Sequence, residues 1–256
     1  MSAARKYPAG QMLIWQVLLG ATVLAVWEAL ARSGKLDPFF FSRPGAIGER
    51  IVAWFRGGSI WPHLAATLEE AALAFLIGAA AGASAGFALA RIPWLGALLD
   101  PYIRVLNALP RVVLAPIFLL WFGLGVWSKV ALGVTVVFFI VFFNTLEGVR
   151  GADRVLVDNV RMLGATEWQL ARHVLIPSAL SWVFSSLHIS IGFAMIAVVV
   201  GEYLGASRGV GYVISQAEGV FDTTGVFAGM TVLSAVVLLV GWGVTRVERW
   251  LLRWKA

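Results

Sequence analysis

Six stretches of this chain are each apolar for long enough to cross a lipid bilayer, and few folds survive that constraint. They run over about residues 11–31, 64–90, 98–122, 126–147, 178–204 and 226–252. A hydrocarbon core about 30 Å thick takes about 20 helical residues. Hydrocarbon offers backbone N–H and C=O groups no partner, so such stretches must be helices that satisfy themselves. The third is interrupted by Pro110 and Pro116. Only 13% of the chain is charged, against about 25% in a soluble domain. The expectation is an all-α, polytopic membrane protein of about six transmembrane helices. The first apolar run, about 18 residues without a clear cleavage site, exceeds the ~7–15 of a secretory signal core and reads as a retained span.

The charges orient the chain. With the N-terminus in the cytoplasm, the inner set is Arg5, Lys6, Arg91, Arg150, Arg154, Arg161, Arg172, Arg246, Arg249, Arg253 and Lys255. The outer set is Arg32, Lys35, Arg43, Arg50, Arg56, Lys129 and Arg208. The inner excess favours cytoplasmic N- and C-termini. It also accounts for the pI of about 10.2 without nucleic acid, for which no long Lys/Arg run exists. Most outer charges sit in residues 32–63, where "PGAIGERIVAWF" is amphipathic and suits the outer interface. The chain has no cysteine, which excludes disulfides, thiolate metal sites and cysteine nucleophiles. With only three histidines besides, no metal site is expected.

Gly78, Gly82 and Gly86 recur every four residues in the second run, with Ala79, Ala83 and Ser84 nearby. One helix face is therefore smooth enough for a second backbone to approach closely. That backbone belongs either to the same bundle or to another subunit.

The segment between the fourth and fifth runs differs in kind. In "ADRVLVDNVRML", Leu156, Val160 and Leu163 fall at i, i+4 and i+7, an apolar stripe at helical spacing. Arg154 and Asp158 form an i,i+4 opposite-charge pair off that stripe. Gly164 breaks the helix, and Thr166-x-x-Gln169 is a capping-box pattern that restarts it. Pro177 disfavours helical geometry at Ile176, which predicts a bend on entry to the fifth span. The segment is too polar to span and too apolar for a solvated linker. It suits a groove in a cytoplasmic partner, or a loop resting on the headgroups.

These residues resemble the cytoplasmic loop of bacterial ABC-importer permeases. That pattern runs Glu-Ala-Ala, three residues, Gly, nine residues, Ile-x-Leu-Pro. Here Asp158, Asn159 and Val160 fill the leading triplet, Gly164 is the glycine, and Val174-Leu175-Ile176-Pro177 closes it. The spacing is kept while the triplet departs at all three positions; Asp158 keeps the carboxylate. "LPRVVLAPIFLLWFGLGVWSKV" (109–130), "FFNTLEGVR" (142–150), "VVVGEYLGASRGVGYVI" (198–214) and "FDTTGVFAGM" (221–230) are similar to the sulfonate/taurine/nitrate branch of that family.

The resemblance implies a type I ABC importer permease fold. Residues 1–62 hold the first helix and external segment, and 63–256 the permease core with a coupling loop at 153–177. It implies an ATPase-coupling set of Asp158, Asn159, Val160, Leu163, Gly164, Ala165, Thr166, Trp168, Val174, Ile176 and Pro177. It also implies a second permease copy, two cytoplasmic ATP-binding subunits and an extracytoplasmic substrate-binding protein, in a bacterial cell membrane. The expected cargo is a small anion such as an alkanesulfonate, taurine or nitrate.

No G-x-x-x-x-G-K-[ST] occurs in the chain, so it lacks the loop that cradles nucleotide phosphates. No cofactor is expected on this chain; ATP and magnesium belong to the partner ATPase. Candidate residues for a translocation pathway are Asn107, Arg111, Asn144, His188 and Glu202. Arg111 follows Pro110 inside the third run and offers a permanent charge to an anion, or snorkels. Asn144 is expected to hydrogen-bond between helices, and His188 to be packed or a ligand. Glu202 stands before a glycine-rich turn as a gate or a hydrogen-bond anchor. A gradient-driven carrier would need midplane acids or paired broken helices. An intramembrane enzyme would need a convergent catalytic set. Both stay open at this point with little to support them.

Overall fold

A computed structural model describes residues 9–251. Arg5, Lys6, Arg253 and Lys255 of the charge argument lie outside them, as does the side chain of Arg249. The described residues are helical, without strands. In chain order the helices are α1 (Ala9–Arg32), α2 (Pro38–Phe41), α3 (Pro44–Arg56), α4 (Trp61–Arg91), α5 (Pro93–Ala108) and α6 (Arg111–Phe122). They continue as α7 (Val126–Arg150), α8 (Arg154–Met162), α9 (Glu167–Leu170), α10 (Ile176–Leu204), α11 (Val210–Gly219) and α12 (Thr223–Leu251). A π-helical turn, Ala171–Leu175, joins α9 to α10.

Among the described residues five helices are each long and apolar enough to span a membrane: α1, α4, α7, the continuous run Glu167–Leu204, and α12. Over the third expected span two helices together are long and apolar enough, as a broken span or a re-entrant loop. α5 and α6 meet at 91°. Leu109 precedes a proline and is extended, at φ −64 and ψ 131, as the ring of Pro110 demands. Pro116 sits inside α6 without ending it.

The backbone clusters into two compact units, residues 1–60 with 213–232, and residues 61–212 with 233–256. In the first, Glu28 accepts from the backbone N–H of Gly45 at 2.8 Å and from Arg32 at 2.6 Å. That fixes the start of α3 against the end of α1. Arg50 pairs with Asp222, and Asp222 also accepts from Gly225 N–H at 3.0 Å, capping the start of α12. Trp27 meets Phe227 edge-on at 5.5 Å.

The second unit is built around α7, which is buried from Ser128 to Val149. α4 lies against one side of it through the glycine face. A Cβ at Gly82 would stand 2.5 Å from the Phe138 carbonyl oxygen, and one at Gly86 2.5 Å from that of Phe142. The small-residue seam is therefore intrachain packing, and the intersubunit alternative falls away. α10 lies against α7 as well: a Cβ on Gly148 would meet the Cβ of Trp182 at 2.9 Å. Where backbones approach this closely, dispersion and Cα–H contacts hold the helices without a hydrophobic driving force.

Candidate functional site

The polar segment between α7 and α10 folds as a short helix, a glycine turn and a second helix. Asp153 caps α8, its carboxylate accepting from Val155 N–H at 2.9 Å. Gly164 sits at φ +80, in the left-handed region that glycine enters freely. It ends α8 by returning the Ala165 N–H to the Val160 carbonyl at 3.3 Å. The capping box forms on both sides: Thr166 Oγ1 accepts from Gln169 N–H, and Gln169 Oε1 accepts from Thr166 N–H.

Pro177 does not interrupt the helix. Ile176 is helical at φ −62 and ψ −51, and helix runs unbroken from Glu167 to Leu204. The π turn explains this. Ile176 N–H reaches back five residues to the Ala171 carbonyl, and the widened turn accommodates the proline ring and its missing N–H.

This loop has two apolar faces. Val157 and Val160 pack inward against Val149, Leu170 and Val174. Leu156, Met162, Leu163 and Trp168 point away, at 47%, 79%, 87% and 68% exposure. The stripe read from sequence mixed the two: Val160 faces in while Leu156 and Leu163 face out. Asp158 and Asn159 are exposed on α8, Ala165 is half-buried, and Ile176 and Pro177 are exposed at the base of α10. The loop is tied to the bundle by Arg91, at the end of α4, which pairs with Glu167; Arg161 lies 3.5 Å from the same carboxylate.

The pathway candidates separate. Asn107 and Arg111 meet at the corner between α5 and α6, where Arg111 donates to the Asn107 carbonyl at 2.8 Å and to its Oδ1 at 2.6 Å. The guanidinium also lies over the Phe139 ring, 5.3 Å from its centroid. Arg111 is thus the first residue of α6, at the break between the two helices. Asn144 donates to the Ile140 carbonyl of its own helix at 2.8 Å, not across to another helix. His188 lies on an exposed face of α10.

Glu202 is 1% exposed. Its carboxylate accepts from Thr67 Oγ1 at 2.6 Å and from Gly211 N–H at 2.7 Å. Thr67 Oγ1 in turn accepts from Val210 N–H at 2.9 Å. A Cβ on Gly209, at φ +116, would stand 2.2 Å from the Glu202 carboxyl carbon. Glycine is required there on both counts. Lys129 and Glu70 are charge neighbours of this cluster. Lys129, counted by sequence among the outer charges, is 1% exposed and donates to the carbonyls of Leu124 and Gly125. Sequence reading missed Thr67, Glu70 and Lys129 as partners of Glu202. Their one signal is a lysine three residues into an apolar helix. Substituting Glu202 with leucine strands the Gly211 N–H, while the Thr67 hydroxyl keeps the His63 carbonyl at 3.1 Å. We expect a loss of about 2 kcal/mol, read as a lower unfolding temperature of the detergent-solubilised protein.

The comparisons with known proteins agree with this architecture. The family model described as "Binding-protein-dependent transport system inner membrane component" matches residues 74–253. The putative aliphatic sulfonates transport permease protein SsuC of Bacillus subtilis is 32% identical, over 99% of this chain and 92% of that protein. The riboflavin transport system permease protein RibX of Chloroflexus aurantiacus is also 32% identical, over 91% and 87%. The taurine transport system permease protein TauC of Escherichia coli is 28% identical, over 97% and 92%. Among solved structures, an amino acid ABC transporter chain superimposes with a TM-score of 0.62 at 18% identity, covering 79% of this chain and 97% of that one. This likeness shows the fold, that of a type I ABC importer permease. With the family model matching well over half its length, the chain belongs to the inner-membrane components of binding-protein-dependent transport systems, as a multi-pass permease subunit of an ABC importer.

Proposed function

We propose that this chain forms the pore of an importer for a small anion, an alkanesulfonate, taurine or nitrate, driven by ATPases that grip the loop between α7 and α10. The observation that carries the reading is the outward apolar ridge of Leu156, Met162, Leu163 and Trp168. It stands on helices held by a capping box and an ion pair. Exposed apolar side chains on a rigid, polar-flanked support suit a partner's groove. Two copies of the permease pair to line the pore, most simply as a homodimer. Two cytoplasmic subunits bind ATP and magnesium, and an extracytoplasmic binding protein delivers the cargo. The termini and the loop lie on the cytoplasmic side, as the excess of inner arginines favours.

For the cargo, the support is Arg111. Its charge is permanent, and Asn107 and Phe139 hold its plane in place. The sulfonate and taurine relatives point the same way, while the riboflavin relative shows that this branch serves more than one chemistry.

The test is uptake of radiolabelled taurine or alkanesulfonate into proteoliposomes. Uptake is expected only with the partner ATPase, ATP and the binding protein together. Uptake by this chain alone, down an ion gradient, overturns the reading. In the complete system, Arg111→Ala is expected to lower uptake about tenfold or more, the loss of one charge-assisted contact, while assembly is unchanged. A wild-type rate would leave Arg111 a structural role only.

A further inference from the structure

A cavity of about 350 Å³ opens beside the loop, between the ends of α4 and α7 and the flank of α8. Arg91, Arg150, Arg154 and Arg161 line it, and Asp158 is the one carboxylate among its lining residues. Arg91 ends α4 and Arg150 ends α7, the last residues of two spans. Arg91 and Arg161 share Glu167. Among the described residues no ion pair holds Arg150 or Arg154. The carbonyl ends of α4 and α7 offer about half a negative charge each. Asp100 also acts on Arg150 but is paired with Arg104, so with these carboxylates and helix ends positive charge stays in excess. That excess around one space favours an anion entering it.

Among its lining residues Val149 and Leu175 are buried, while Arg150, Arg154 and Arg161 are exposed. Exposed arginines beside buried apolar residues, at the level where two spans end, suit a lipid's phosphate and glycerol. The volume lies within the range of about 300–1,000 Å³ typical of small-molecule sites. The planar guanidinium fork matches phosphate oxygens in pairs. Basic pockets between helices at the bilayer boundary recognise anionic headgroups on these grounds.

We infer that this cavity binds a phosphate-bearing anion, with the headgroup of an anionic phospholipid as the source its position favours. A bound headgroup would bridge the ends of α4 and α7 to α8. The loop's seating would then depend on lipid composition, whatever its outer face binds.

The experiment is native mass spectrometry of the full-length chain, taken from micelles with equal phosphatidylglycerol and phosphatidylcholine. Wild type is expected to retain phosphatidylglycerol over phosphatidylcholine by about tenfold or more. Arg150→Gln with Arg154→Gln is expected to abolish that preference, and so is the milder Arg154→Gln alone in large part. Arg246→Gln, whose guanidinium lies over Trp242 outside the cavity, is expected to keep it. Displacement of the lipid by millimolar inorganic phosphate supports the site and moves its source to the free anion. Equal retention by wild type and both cavity variants overturns it. So does a preference that appears only with an ATPase subunit docked, which would make the arginines partner contacts.

Discussion

Replacing Leu163 with glutamate is expected to leave the protein inserted and folded while removing ATP-driven uptake. Leu163 is 87% exposed, so the fold changes by about 0.5 kcal/mol or less. The effect falls on the partner. A buried interface anchor is worth about 2–4 kcal/mol, and a glutamate there must also be desolvated. Uptake is expected to fall at least about 30-fold, with stimulation of ATP hydrolysis by the binding protein lost alongside it. Gly164→Pro should act through the fold instead, because proline cannot reach φ +80. Size-exclusion profiles separate the two effects. Unaltered uptake by the Leu163→Glu protein sinks the coupling assignment.

The other large effect is expected inside the bundle. Gly82→Val places a branched side chain where even a Cβ would stand 2.5 Å from the Phe138 carbonyl oxygen and 3.1 Å from the Phe142 nitrogen. Both are backbone atoms of α7 and cannot swing aside. α4 must retreat, and Gly78 and Gly86 lose their contacts with the same helix. Overpacking of this kind costs about 3 kcal/mol or more. The protein is expected to accumulate poorly in membranes and to elute as aggregate. Gly192→Ala, with no atom within 4 Å of its added carbon, is the matched control and should accumulate normally. Normal accumulation of Gly82→Val would contradict the close approach of α4 and α7.

Much of the fold was legible because the solvent dictates it: bilayer thickness sets span length, and six runs met it. The loop was legible because its signals are local. A capping box and a glycine stop act within a few residues of themselves. The prolines were harder. Pro110 turns the chain by 91°, Pro116 is absorbed within α6, and Pro177 is absorbed by a π turn. Their sequences do not tell these outcomes apart, because neighbouring helices decide whether the freed carbonyl must be filled. The cluster around Glu202 was opaque for another reason. Thr67, Lys129, Glu202 and Gly211 come from α4, α7, α10 and α11, and no spacing in the chain foretells that they meet.

The helix that continues through Pro177 has a mechanical consequence. From Glu167 to Leu204 the backbone is one continuous helical run of 38 residues, about 57 Å at 1.5 Å per residue. One end carries the exposed Trp168; the other carries Glu202, bonded to Thr67 of α4 and Gly211 of α11. Under the proposed coupling, a push at the foot meets no break in the helix before the far tip. It would tilt that tip as an oar tilts in its rowlock, turning a small stroke below into displacement above.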